Sequence, residues 1–131
     1  MEALALVTVI AMAQVMVFQG RVARARNTFS VQGPATSGHP MWERYNRIHL
    51  NTIENLVVFL PLLWVCGFFF NALAAAALGA AFIVARVIYA RGYLSEPPSR
   101  RAAGAWLTSL VLAFLALGSL VGIGLRWSGS H

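Results

Sequence analysis

The chain has 131 residues, of which 59% are hydrophobic and 11% are charged. This is far from the composition of soluble proteins and indicates one domain, residues 1–131, that lies in a membrane. The ten basic residues are all arginine and give a net charge of +6. Because they stand between apolar segments and do not cover a soluble face, we expect no nucleic-acid partner.

The first apolar segment covers about residues 4–19 and is short for a membrane span. Residues up to Ala23 can lengthen its helix, because Arg21 and Arg24 can extend their charged groups towards water. The first two residues contain no basic region of the kind found in a signal peptide. We therefore expect this helix to remain in the mature protein.

Residues 30–40 are dense in Gly, Pro and Ser, as is typical of an exposed loop. A second helix is predicted to begin near Pro40. Its apolar part, 48–70, is roughly 30 Å long, enough to cross the hydrocarbon core. Asn71 then makes a tight connection to a third apolar segment, 72–90.

The third segment is rich in alanine, and its small residues permit close helix packing, although a merely apolar helix explains the composition equally well. Pro97 and Pro98 should end this helix within a polar connection, 91–101. A fourth apolar segment covers about 105–125 and contains Gly118. Together these segments predict an all-α integral membrane bundle of four helices.

Arginine is distributed unevenly among the connections. Nine of the ten arginines flank the first and third connections, and none flanks the second. The positive-inside rule then places the two arginine-rich connections in the cytoplasm and both termini on the other side. In a bacterium, the membrane would be the inner membrane. Trp42 and Trp106 are expected at the cytoplasmic boundary and Trp127 at the opposite one.

A polar stripe enters the membrane on helix two. Arg47, Asn51 and Glu54 stand at positions i, i+4 and i+7, so they share one face and descend about 10 Å. Ionisable residues in a membrane normally face the bundle interior or a polar cavity and are candidates for a functional site. Helix three has a similar stripe that can face the first. It consists of Arg86, Tyr89 and Tyr93.

The charges in these stripes do not balance. Glu54 can pair with Arg47 or Arg86 in an ion pair that only holds the helices together. One glutamate cannot neutralise both of these and also the nearby Arg26 and Arg100, so we expect the cluster to bind an anion. A small polycarboxylate is the natural ligand, and a lipid phosphate is the alternative. We expect no metal site, since the chain has three histidines and no aspartate.

Two motifs connect these residues with a known family. Glu43 to Glu54 reads E-R-x-x-R-x-x-x-N-x-x-E, and Ala85 to Tyr93 reads A-R-x-x-Y-x-x-G-Y. With its four-helix pattern, the chain over essentially its whole length resembles the family of membrane-associated proteins in eicosanoid and glutathione metabolism (MAPEG). The resemblance implies a homotrimer that binds glutathione between subunits near the cytoplasmic side. It also implies conjugation of glutathione to lipophilic electrophiles.

The same resemblance implies roles for single residues. The positions that match the family's glutathione-binding positions are Arg26, Arg47, Asn51, Glu54, Arg86, Tyr89 and Tyr93. Arg100 falls where the family has the arginine that stabilises the glutathione thiolate, and an alignment shifted by one residue would give that role to Arg101. Where family members carry an aromatic residue and a proline after the glutamate, this chain has Asn55 and Val57, with Pro61 one turn further on.

The predicted function is that of a membrane-bound glutathione-dependent transferase, or a peroxidase, acting on lipophilic small molecules dissolved among the membrane lipids. A non-catalytic lipid-binding or scaffold protein of the same fold is the alternative, and Arg100 favours the enzyme. A proton-coupled exporter that uses Glu54 is disfavoured, because its carboxylate should not lie among several arginines. The physiological electrophile, and the choice between glutathione and another thiol, do not follow from the residues.

Overall fold

The structure, a computed structural model that describes residues 1–130, consists of four long helices. They are α1 (Glu2–Thr28), α2 (Pro40–Phe69), α3 (Ala72–Leu94) and α4 (Arg101–Gly129), and a 3-10 turn, Pro98–Arg100, precedes α4. Each of the four is long and apolar enough to cross a membrane. The predicted all-α architecture of four membrane-length helices is confirmed.

The helices are longer than the apolar segments from which they were predicted. α1 continues to Thr28, and α4 begins at Arg101. α3 continues to Leu94, so Gly92 and Tyr93 are helical and do not belong to the connection. Hydropathy marks only the part of a helix that lies in hydrocarbon, whereas arginine has good helix propensity and continues a helix into the polar boundary.

Side-chain caps define the beginnings of α2 and α3. His39 Nδ1 accepts a hydrogen bond from the backbone N–H of Met41 at 3.1 Å. Asn71 Oδ1 accepts one from the backbone N–H of Ala74 at 2.8 Å. Because capping satisfies backbone donors that the first helical turn leaves free, both helices begin at fixed residues. The connection between α2 and α3 is then as tight as predicted.

α2 and α3 form the centre of the bundle. α1 packs on both of them and so does α4, while α1 and α4 do not contact each other within residues 1–130. In the core the rings of Phe59 and Phe82 are stacked with centroids 3.9 Å apart. A Cβ atom at Gly79 would overlap Val7 and approach Leu63, so glycine allows α3 its close approach. The alanine-rich helix therefore serves as a packing seam.

Both arginine-rich connections lie at the same end of the bundle. Arg44, near the start of α2, shows this, since its Nη1 forms an ion pair of 3.0 Å with Glu96 Oε1 in the connection between α3 and α4. Trp42, at this end, differs from its prediction as a boundary residue, since it is fully buried. It packs in one cluster with Val31, because the first connection folds over it. The guanidinium of Arg26 lies 4.3 Å from the centre of the Trp42 ring.

Candidate functional site

Arg86 is the most deeply buried charged side chain of the described residues, with 1% of its surface exposed. Its Nη2 donates to Asn51 Oδ1 at 2.7 Å and to Thr52 Oγ1 at 3.1 Å. Its Nε also donates to Thr52 Oγ1, at 3.2 Å, and its Nη1 donates to Thr108 Oγ1, at 3.3 Å. All of these acceptors are neutral, so the protein hydrogen-bonds the guanidinium without neutralising it.

A row of aromatic rings and cations connects Arg86 with the end of the bundle. The Arg86 guanidinium lies 4.2 Å from the centre of the Tyr89 ring. Tyr89 and Tyr93 meet edge to face, with ring centroids 5.7 Å apart. The Arg101 guanidinium lies 4.8 Å from the centre of the Tyr93 ring. Cation–π contacts of this kind hold guanidinium groups in place without removing their charge.

The stripe on α2 contains the carboxylate of the site. Arg47 Nη1 and Nη2 donate to the two carboxylate oxygens of Glu54 at 3.3 and 3.4 Å. Glu54 thus pairs with Arg47 and not with Arg86, which decides between the two predicted partners. Asn55 donates to the backbone carbonyl of Asn51 at 2.8 Å and to its Oδ1 at 3.2 Å. The residue that departs from the family pattern therefore orients the amide that holds Arg86.

An open cleft of about 490 Å³ lies at the arginine-rich end, where the two connections meet; we call it the cationic cleft. Its lining includes Arg47 and Tyr93 from the predicted set, while Asn51 and Glu54 lie deeper along the stripe. The lining residues are Thr36, Pro40, Glu43, Arg44, Asn46, Arg47, Tyr93, Pro98 and Arg101. Three arginines and one glutamate line the cleft. Arg44 and Arg47 are paired with Glu96 and Glu54, so Arg101 is the lining arginine without a carboxylate partner among the described residues.

A second cleft, of about 400 Å³, lies along the start of α4. Arg101 belongs to both clefts, and Trp106, which is 72% exposed, lines this one. We call it the α4 groove; it is lined by Ser99, Arg101, Ala102, Ala105, Trp106 and Ser109. A charged cleft and a more apolar groove thus meet at one side chain.

Two predicted site residues stand apart from this cluster. Arg26 Nη1 donates to the backbone carbonyl of Ala35 at 2.9 Å, and its guanidinium covers the Trp42 ring. Arg26 therefore holds the first connection against the bundle. Arg100 is exposed and its side chain makes no hydrogen bond or ion pair within residues 1–130. Its backbone is fixed, because a Cβ at Gly92 would overlap the Arg100 carbonyl group.

The sequence reasoning missed four residues of the site. Thr52 and Thr108 hold Arg86, and a signal for them existed, since hydroxyl groups within apolar helices need a partner. Arg44 and Arg101 line the cationic cleft. Arg44 lies inside the first motif. Arg101 is predicted only as the alternative to Arg100 in an alignment shifted by one residue.

Comparisons with known proteins identify the family of the chain. The model of the MAPEG family matches residues 4–121. The chain is 36% identical over 120 residues to human microsomal glutathione S-transferase 2, covering 92% of this chain and 81% of the relative. It is 39% identical over 124 residues to rat leukotriene C4 synthase, covering 90% and 81% of the two chains. An uncharacterised protein of Synechocystis is 38% identical over 119 residues, covering 91% and 86%. The chain therefore belongs to the MAPEG family.

Proposed function

We propose that the protein binds glutathione and conjugates it, through its sulfur atom, to lipophilic electrophiles that reach the protein through the membrane. The observation that carries this proposal is the buried guanidinium of Arg86, which is held only by neutral acceptors behind a cleft rich in arginine. A buried charge left without a counter-ion is costly unless a ligand supplies one. Relatives named as a glutathione S-transferase and a leukotriene C4 synthase support the same function.

Glutathione fits the charges of the site. The tripeptide carries two carboxylates and one ammonium group, so its binding requires more cations than anions from the protein. In our proposal Arg47 binds a carboxylate and Glu54 binds the ammonium group. Arg86 is buried with its donors bound to neutral side chains, so it contributes its positive charge from behind the site. Asn51, Tyr89 and Tyr93 supply neutral hydrogen-bonding groups. Arg26 contributes from the end of α1.

Arg100 has the catalytic role in this proposal. An arginine does not act as a general base, since it keeps its proton, but its positive charge stabilises a nearby thiolate. The side chain of Arg100 has no partner in the described chain, so it is free to turn towards a bound sulfur atom. The thiol loses its proton to solvent, and the thiolate attacks the electrophilic carbon of a substrate. As the C–S bond forms, the bond from that carbon to its leaving group breaks, releasing halide from an aryl halide or opening the C–O bond of an epoxide. The α4 groove beside Trp106 is where that substrate would lie, and the gain is one of proximity.

We also propose that three copies of the chain form the working unit. Arg47 and Glu54 are 49% and 57% exposed, although they lie on a helix that crosses the membrane. An exposed ion pair at that depth is costly against lipid, so a neighbouring subunit should cover it. A ligand bound there would then contact two subunits, as the family resemblance implies.

Two measurements on the purified protein in mild detergent test the function. One follows conjugation of glutathione to a generic aryl halide, and the other follows equilibrium binding of glutathione. Glu54→Gln should weaken glutathione binding by about tenfold or more, because a hydrogen bond between charged groups is lost. Glu2→Gln is the matched control. Glu2 lies at the start of α1, at the end of the bundle away from the arginine-rich connections, so this variant should bind glutathione as the unaltered protein does.

The outcomes separate the candidate functions. Glutathione binding with conjugation supports the transferase, and binding without turnover of any electrophile would indicate the non-catalytic member of the fold. A protein that neither binds nor conjugates glutathione would contradict the proposal. Mass spectrometry of ligand that co-purifies with the protein would then show whether another small thiol takes its place.

A further inference from the structure

A second arginine cluster lies on another face of the bundle, between α1 and α3. There a groove of about 180 Å³ runs from Gln14 in the membrane to Arg21 and Arg91 at the arginine-rich end. We call it the arginine groove; it is lined by Gln14, Val17, Phe18, Arg21, Val87, Ala90 and Arg91. Arg21 also lines a separate cavity of about 220 Å³, whose lining includes Arg24, Thr28 and Tyr45.

The cations of this groove have no counter-ions in the described chain. Arg21, Arg24 and Arg91 are exposed, and none of their side chains makes a hydrogen bond or ion pair within residues 1–130. The glutamates that form ion pairs do so elsewhere, with the N-terminus, Arg44 and Arg47. The remaining one, Glu43, lines the cationic cleft. Two guanidinium groups and no carboxylate therefore line the groove, and Arg24 lies one turn from Arg21 in the neighbouring cavity.

The part of the groove below these charges is apolar. Val17 lies one turn before Arg21, and Val87 lies one turn before Arg91, so each apolar side chain is about 6 Å deeper than its arginine. At the inner end Gln14 Nε2 donates to the carbonyl of Ile83 at 3.0 Å and joins the two helices. Both helices are long enough to cross a membrane, which places the arginines at its boundary.

We propose that the arginine groove binds an anionic phospholipid. Its phosphate lies between Arg21 and Arg91, with Arg24 towards the headgroup, and one acyl chain follows Val17 and Val87 into the hydrocarbon. Paired arginines at a membrane boundary select anionic over zwitterionic lipids by charge, and the apolar groove selects a lipid over a free phosphate. The site is separate from the cationic cleft and does not depend on the proposed glutathione binding.

Native mass spectrometry of the protein, without glutathione, tests this proposal. The protein is reconstituted in equal amounts of phosphatidylglycerol and phosphatidylcholine, and the lipids retained per chain are counted. Phosphatidylglycerol should be retained in excess. The double variant Arg21→Gln/Arg91→Gln should lose about tenfold or more of that retention, since each arginine near anionic lipid contributes about fivefold.

Two further variants make the result specific. Arg100→Gln removes one charge at the same end but outside the groove, as Arg21→Gln or Arg91→Gln alone removes one inside it, and only Arg100→Gln should leave retention unchanged. Val17→Trp keeps all charges and fills the groove, so retention should fall. Equal retention of both lipids, or full retention by the double variant, would overturn the proposal. So would cross-linking of Val17→Cys between two copies of the chain at high yield, because a subunit would then cover the groove.

Discussion

Arg86 shows how this chain keeps a charge inside a membrane bundle. Its guanidinium is bound by one amide and two hydroxyl oxygens, and a tyrosine ring covers one side. Each contact is weak compared with a carboxylate, but together they satisfy most of its donors. The charge itself is not neutralised, so it favours an anion bound nearby although the guanidinium is buried.

Thr108→Val should destabilise the protein by about 1–3 kcal/mol, because a buried donor of Arg86 loses its acceptor. Thr28→Val is the matched control: the Thr28 hydroxyl also donates to the carbonyl four residues earlier, but it binds no guanidinium and is exposed. Its effect should stay below about 0.5 kcal/mol. Denaturant unfolding in mild detergent measures both, and equal effects would show that Thr108 does not hold Arg86.

Arg100→Ala should raise the pKa of the bound glutathione thiol by about 1 to 3, because the neighbouring positive charge that stabilises the thiolate is removed. Conjugation should then slow most at neutral pH and recover at alkaline pH, while glutathione binding changes little. Ultraviolet titration of the bound thiolate measures the pKa. Arg101→Ala is the comparison, since Arg101 already covers Tyr93. An unchanged pKa and full activity in Arg100→Ala would move the catalytic role to Arg101 or Tyr93.

At the scale of elements, glycines on α4 determine how the site is assembled. A Cβ at Gly104 would overlap the backbone of Tyr89, and one at Gly122 would overlap the backbone of Phe69. The first of these contacts holds α4 close to α3 beside the site, and so brings Thr108 within reach of Arg86. Further along the helix, Gly118 packs against Cys66.

Gly104→Ala should therefore destabilise the bundle by about 1–3 kcal/mol, because the added methyl group meets backbone that cannot move aside without separating two helices. It should also reduce glutathione binding by displacing Tyr89. Gly124→Ala is the control on the same helix, since nothing lies within 4 Å of a Cβ there. The Gly124 variant should be neutral or slightly more stable. Thermal unfolding and glutathione binding by both variants check this, and similar behaviour of the two would contradict it.

At the scale of the whole molecule, the proposed site is open on one side. The cationic cleft and the Arg47–Glu54 ion pair face outwards, while the helices that carry them have lipid-facing residues elsewhere. A polar site that is exposed to lipid is costly. Assembly is the physical means by which the chain can shield it.

A homotrimer is the expected assembly. Native mass measurement in mild detergent should give three times the mass of the chain, and Glu54→Gln should weaken the trimer, since it leaves Arg47 without its partner at the proposed interface. The control is Glu96→Gln, whose ion pair with Arg44 lies between the connections of one chain. A stable monomer or dimer would remove the shared site from the proposal.

The arginine distribution predicts that the two arginine-rich connections are cytoplasmic. Ser37→Cys and Phe70→Cys, in a Cys66→Ala background, should react with a membrane-impermeant thiol reagent from opposite sides, because positions 37 and 70 lie at opposite ends of α2. Position 37 should be labelled only after the membrane is opened. Labelling of both from one side would show that the helices do not cross the membrane as proposed.

The four helices and the residues of the polar stripes are predictable from local patterns in the sequence. A helix in lipid satisfies its own backbone hydrogen bonds, so its existence depends on a local run of apolar residues that hydropathy detects. The periodicity of a helix likewise places Arg47, Asn51 and Glu54 on one face without any knowledge of neighbours.

Which groups meet depends on how the helices pack against one another. Glu54 pairs with Arg47 and leaves Arg86 to Asn51, Thr52 and Thr108, and Trp42 lies beneath a connection instead of facing lipid. These contacts depend on how far each helix is rotated about its axis and displaced along it. Rotation and displacement are set by packing between segments distant in sequence, including contacts of α4 glycines with α2 and α3, and no local pattern of hydropathy or charge encodes them.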